Sequence, residues 1–426
     1  MLKKSSRFAM LFAPIVSMCV LTLGNTFYTT YTTLELERTG QGNGLIGLVS
    51  AVYFTGMVIG SYLTQKPILR IGYIRAYVLF ATLMAVGSLL QGMFYSAWLW
   101  VIFRFICGYA LAGLFIVVES WCLEGAGDNF KGRVLSVYLL LYYFAQAIGQ
   151  YLLKVNYSSA LFAFCVISIL ASLSTIPVSL TRFNMPKKNE IELLSPKILF
   201  KKAPLGIWAA LASGVILGSI YTIYPLFLKQ NHYPAGTVAT MMFAIILGGM
   251  ILQIPIGRFS DLIDRRKVLL SVLIAAFVIA ILICLLNDSF YEMLLLSFLL
   301  GGVTFAIYPI SISHASDYLS PEKLVGVVGL LALAYGFGSM LGPLFVTGSM
   351  SVFGPFGFFI FIAAVCLVLI VYTIWRIYIC TEIPSEAEKV QFQQMSPEAS
   401  LASEGVYEQQ RIDEKTADIE TSQSNS

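Results

Sequence analysis

Charge is the first thing this chain has little of. Only 12% of its 426 residues are Asp, Glu, Lys or Arg, against about 25% in soluble globular proteins. Histidine is nearly absent, with only His232 and His314. The seven cysteines are scattered without a single C-x-x-C pair, so they read as small helix-packing residues rather than metal ligands or disulfides. No phosphate loop, metal-ligand cluster or paired catalytic set recurs in any segment. These absences argue against an enzyme, a cofactor site or a metal site.

What is abundant is apolar: 58% of the residues are hydrophobic. One soluble core stops growing at roughly 250–300 residues, so this much apolar surface needs lipid. Long apolar runs, rather than alternation, exclude a β-barrel and leave an all-α polytopic membrane protein. The net charge of +4 conceals an asymmetry. Residues 1–380 hold 24 basic and 13 acidic side chains, and residues 381–426 hold 3 and 10. The basic excess sits in loops between apolar segments, which excludes a nucleic-acid surface. The tail is acidic, Gln- and Ser-rich, and reads as a disordered segment.

Twelve windows are long enough to span a bilayer, about 20 residues each: 8–33, 45–65, 76–95, 98–119, 134–153, 157–180, 204–228, 236–257, 268–287, 291–313, 324–347 and 354–378. The uncharged stretch 324–375 is too long for one span and is divided at the Gly/Ser/Pro-containing segment 347–355. With the N-terminus inside, 23 basic residues fall on the inner side and only Arg38, Lys154 and Lys229 outside. Both termini are therefore expected to be cytoplasmic, and the first segment is expected to be retained rather than cleaved as a signal peptide.

The chain repeats itself. At an offset of 193 residues, Gly56 meets Gly249, Gly108 meets Gly301, and Gly149 meets Gly342. Phe115 meets Tyr308, Tyr142 meets Tyr335, and Glu124 meets Asp317. The expected organisation is a six-helix half (1–180), a basic linker (181–203), a second six-helix half (204–380) and the acidic tail (381–426). Parallel six-helix repeats describe a transporter architecture whose substrate site lies between the halves.

Between spans eight and nine the chain reads Gly257-Arg258-Phe259-Ser260-Asp261-Leu262-Ile263-Asp264-Arg265-Arg266-Lys267. This resembles the loop signature of the major facilitator superfamily, G-x-L-a-D-r-x-G-R-R, with Asp264 in place of its second Gly. The equivalent first-half loop, from Gln65 to Arg75, keeps Gly72, Arg70 and Arg75 but has Leu69 where the signature has Asp. Tyr53-Phe54-Thr55-Gly56, Arg104-Phe105-x-x-Gly108, Val117-Val118-Glu119-Ser120, Gly132-Arg133-x-Leu135-x-x-Tyr138, Tyr142-Tyr143 and Gly149-Gln150 resemble the YcaD-like branch of bacterial inner-membrane carriers.

The resemblance implies the major facilitator fold, twelve transmembrane helices as two six-helix repeats. It also assigns expected roles. Asp261, Arg265 and Arg266, with Arg70 and Arg75 in the degenerate first loop, would latch and release the inner mouth. Arg104 resembles the buried Arg of the superfamily's fourth span and, with Glu119, is a candidate for coupling. The two lie 15 residues apart, roughly 22 Å along a helix, and cannot pair. Asn25, Tyr28, Phe115, Tyr142, Tyr221, Tyr224, Tyr308 and Tyr335 occupy equivalent points of spans that border the superfamily's central cavity. Tyr supplies an apolar body with one polar handle, which suits a semi-polar or aromatic solute.

The expectation is a monomeric secondary active transporter of a small solute in a bacterial inner membrane, working by alternating access and coupled to protons as a symporter. Two other readings are open: an efflux antiporter of drugs or metabolites, and a transporter-like membrane sensor. The motif Gly338-x-x-x-Gly342-Pro343 sits in span eleven rather than in span five, where drug–proton antiporters usually carry it.

Overall fold

The computed structural model describes residues 4–126, 131–181, 196–286, 289–319 and 324–379. Most of the linker and the whole acidic tail lie outside these described residues. Among them there are fifteen α-helices and no strand. The first half contains α1 (Lys4–Arg38), α2 (Asn43–Leu63), short α3 (Gln65–Ile71), α4 (Tyr73–Met93), α5 (Ala97–Gly125), α6 (Lys131–Gly149), α7 (Ala160–Leu173) and short α8 (Thr175–Ser179). After short α9 (Pro196–Lys202) come α10 (Pro204–Gln230), α11 (Ala235–Leu262), α12 (Arg265–Leu285), α13 (Phe290–Ser316), α14 (Leu324–Phe353) and α15 (Gly357–Ile379).

Eleven of these helices, with α7 and α8 joined as one span, are long and apolar enough to cross a membrane. The twelfth is α6, whose apolar content is diluted by Arg133, three tyrosines and Gln146. It continues as a 3₁₀ turn, Gln150–Lys154. Large side chains such as Phe162, Val278, Val368 and Trp375 point outward and are exposed, as lipid contact requires. Helix α14 continues past the sequence-predicted end at 347, to Phe353. Thr347 and Ser351 return their hydroxyls to carbonyls one turn back, and the break falls at Gly354, whose φ of +70° only glycine adopts freely.

The two halves repeat the same packing. Helix α2 packs on α5 as α11 packs on α13, α1 on α6 as α10 on α14, and α4 on α7 as α12 on α15. The glycines aligned at offset 193 do the same work in both halves. A Cβ on Gly108 would collide with the Tyr53 carbonyl, and one on Gly301 with the Ile245 carbonyl. A Cβ on Gly149 would strike Leu23 and Thr26 of α1, and one on Gly342 would strike Val215 and Ser219 of α10. Lipid gives helices no hydrophobic reason to associate, so close backbone approach at small residues supplies the packing. Between halves, α2 meets α14, α1 meets α10, and α6 with its 3₁₀ turn meets α11.

Candidate functional site

The helices alternate in direction between two faces. We call the face holding the α2–α4 and α11–α12 loops the basic face, and the other the opposite face. Arg104 lies seven residues inside α5 from the opposite face, about 10 Å deep, and is 1% exposed. Its guanidinium sits over two rings, 4.6 Å from the Tyr28 centroid and 4.0 Å from that of Tyr53. Each ring is fixed by its hydroxyl. Tyr28 donates to Gln91 Oε1, and Tyr53 donates to Asn25 Oδ1 at 3.3 Å. Arg104 Nε and Nη1 are buried without an acceptor, and among the described residues no carboxylate forms an ion pair with it. Asn25 and Tyr28 thus serve Arg104, helped by Tyr53 and Gln91, which the spacing argument had not named as site residues.

A second group of side chains crosses between the halves. Phe115 packs on Tyr142 (centroids 5.5 Å apart), Tyr142 on Tyr143 (5.6 Å), Tyr143 on Phe305 of the other half (5.9 Å), and Phe305 on Tyr221 (5.7 Å). Tyr308 and Tyr335 pair at 5.2 Å within the second half. Sequence reasoning missed Phe305 as a site residue, though it lies three positions before Tyr308 and so shares its helix face. Tyr224 lies elsewhere. Its hydroxyl bonds Ser297 Oγ at 2.6 Å, and its ring packs among Phe227, Phe358 and Phe359, inside the second half.

On the basic face the two loops differ. In the second half, Arg265 pairs with Asp261 at 3.2 Å and, through Nε, with Asp317 at 3.0 Å. Arg266 pairs with Asp264 at 2.9 Å. Asp264 caps α12 by accepting the Arg266 backbone N–H at 3.0 Å. Burial pushes its carboxyl up, but the hydrogen bonds and charge of Arg266 outweigh that and hold it below the ordinary carboxylate range. In the first half, Arg70 and Arg75 are exposed and form no ion pair among the described residues. Gly72, at φ +80°, makes the turn, and the Tyr73 hydroxyl donates to Glu124 Oε1 at 2.6 Å. Glu124 and Asp317 are partners in the 193-residue alignment, so one position receives an arginine in one half and a tyrosine in the other. Glu119 is buried near Cys122 and Tyr138, with neither ion pair nor hydrogen bond among the described residues.

Contacts between halves gather at the opposite face. Thr33 Oγ1 donates to the Thr222 carbonyl at 2.8 Å, and Gln230 Nε2 to Asn43 Oδ1 at 2.9 Å. Tyr151 packs on Phe243 at 5.0 Å, under the Lys154 ammonium. A vestibule of about 550 Å³ opens there, lined from both halves by residues including Tyr31, Glu35, Arg38, Tyr157, Ser159 and Lys229.

The family model described as Major Facilitator Superfamily matches residues 11–252 and again 207–406. The chain belongs to the Major Facilitator Superfamily. The chain is 30% identical over 352 residues to the MFS-type transporter YcaD of Escherichia coli O17:K52:H18 (strain UMN026 / ExPEC), covering 82% of this chain and 91% of that one. It is 29% identical over 356 residues to an MFS-type transporter of Enterobacter sp. (strain 638), covering 83% and 92%. Among solved structures, the nucleoside transporter NupG superposes with a TM-score of 0.74 at 13% identity, over 87% of this chain and 98% of that one. A bacterial homologue of the human lysosomal transporter Spinster, inward-facing and unoccupied, superposes at 0.59 and 16% identity, over 96% and 94%. At those identities the likeness is one of fold. Superfamily members are transporters, not enzymes, and this chain is a multi-pass bacterial membrane transporter with twelve transmembrane helices in two six-helix repeats.

Proposed function

We propose that the protein is a proton-coupled secondary active transporter that moves a small solute by alternating access. Residues 1–180 and 204–380 would rock against each other about a site between them, with 181–203 as linker. The basic face would be cytoplasmic, both termini included, in a bacterial inner membrane. The observation that carries this reading is the closure of the opposite face. The halves are tied there by hydrogen bonds, by rings and by the packing of α2 on α14. That is how a carrier looks when its outer mouth is shut. In this reading the aromatic row Phe115–Tyr142–Tyr143–Phe305–Tyr221 forms a wall of the solute path, and Arg104 and Glu119 carry coupling.

Two spin-label pairs test it on the reconstituted protein. Labels at Arg70 and Leu262 span the halves at the basic face, and labels at Asn156 and Tyr233 span them at the opposite face. Alternating access requires one distance to lengthen as the other shortens. Distances that stay fixed across pH and solute conditions would overturn it.

A further inference from the structure

We infer that the transported solute carries an oxyanion, a carboxylate or phosphate group, and that Arg104 receives it. The inference rests on the transporter reading above and names its substrate class. A guanidinium buried without a counter-charge is one of the most unfavourable groups a protein can hold, because desolvation is not offset by an ion pair. The two tyrosine rings, 4.6 and 4.0 Å from the guanidinium carbon, offset part of that. The N–H groups lie in the guanidinium plane, and both Nε and Nη1 lack an acceptor. Planar in-plane donors are the geometry that recognises carboxylate and phosphate. The nearest intramembrane acid on the same helix, Glu119, lies roughly 22 Å away along it and cannot serve.

The approach to Arg104 supports the same sign of charge. The sequence places only three basic residues at the opposite face, Arg38, Lys154 and Lys229. Arg38 and Lys229 both line the vestibule, one from each half, and Lys154 directly precedes its wall residue Val155. Arg38 and Glu35 engage each other at 2.6 Å, which leaves Lys229 as the wall charge outside an ion pair among the described residues. The vestibule wall residue Tyr31 packs on Phe164, and Phe164 packs on Tyr28, the ring under Arg104 (centroids 5.5 and 6.2 Å). A vestibule whose wall carries one net positive charge is therefore joined to the buried Arg104 through the packed rings of Tyr31, Phe164 and Tyr28. A net positive mouth of low dielectric favours the entry of anions, and the buried arginine then takes the oxyanion.

Thermal unfolding of the purified full-length protein tests this, with benzoate and inorganic phosphate as probes. Benzyl alcohol and benzylamine serve as the neutral and cationic counterparts of benzoate. The expected result is a saturable rise in melting temperature with at least one oxyanion and none with the alcohol or amine. Which oxyanion acts decides between carboxylate and phosphate. Arg104→Gln should abolish the rise without lowering the melting temperature of the ligand-free protein, since it removes an unpaired charge. If that variant fails to fold, Arg104→Lys keeps a cation but loses the planar donor set, and should weaken oxyanion binding by at least about tenfold. The inference is overturned if neither oxyanion shifts melting, if the shift survives both substitutions, or if benzylamine acts equally well. Should the spin-label distances switch while no oxyanion binds, the transporter reading stands and this inference alone fails.

Discussion

Glu119 and the close-contact glycines carry opposite kinds of constraint. Glu119 is a buried carboxylate with no ion pair and no hydrogen bond among the described residues. If it couples protons, the balance between inward- and outward-closed states depends on its protonation. The basic-face and opposite-face distances of the native protein should then shift with pH, and Glu119→Gln should make them pH-insensitive while leaving both states reachable. Distances in Glu119→Gln that still track pH would remove Glu119 from coupling. The glycines act through space instead. Gly108→Val and Gly301→Val both force side-chain carbons into a facing carbonyl, an overpacking of about 1–3 kcal/mol each. Gly132→Val meets nothing within 4 Å and should leave stability within about 0.5 kcal/mol of native. Denaturation of the three variants in one detergent compares them directly.

The element scale is where the two halves part company, at a turn that each solves with different chemistry. The first half uses Gly72 in the left-handed region to pass from α3 to α4. The second half has Asp264 at the corresponding bend, with φ of −57° and ψ of 117°, and makes it the cap of α12. Losing such a cap costs about 1 kcal/mol. The sign of its pH dependence follows from its position below the ordinary carboxylate range. The stabilisation is present above the unfolded carboxylate value, near 3.9, and fades as pH falls through the lower folded value. Asp264→Asn, which keeps an oxygen to cap but not the charge that holds Arg266, should unfold earlier than native at pH 7. The gap should close as pH drops below about 4. A gap that is constant from pH 7 to 3 would show that the charge is idle. Spans, orientation bias and the repeat were legible in the sequence because hydropathy and glycine spacing are periodic and local. Gly257 to Lys267 was legible because its residue types are rare inside so apolar a chain. The Arg104 cage was only half legible. Arg104 and Tyr28 were singled out, but Gln91 and Tyr53 reach them from other helices, and no periodicity within one helix encodes that meeting. Tyr224 lies three positions from Tyr221 on the same helix, yet it packs inward on α15, because helical spacing alone does not say which neighbour a face meets.

At the scale of the whole molecule the question is what holds the opposite face shut. The ties between halves there include the hydrogen bonds of Thr33 to Thr222 and Gln230 to Asn43, beside the Tyr151–Phe243 contact and the packing of α2 on α14 at Gly47. A carrier must not close too firmly, because each state has to give way to the other within a few kcal/mol. A hydrogen bond contributes about 1 kcal/mol net, so removing one shifts a two-state balance by about fivefold. Thr33→Val and Gln230→Ala should each move the opposite-face distance distribution toward its open form by about that factor. They lie on different helices and touch different partners, so together they should act nearly additively, about twentyfold or more. The basic-face distances should shorten in the same proportion, because rigid halves that part at one mouth meet at the other. If the double substitution opens the opposite face while the basic-face distances stay unchanged, the halves flex rather than rock.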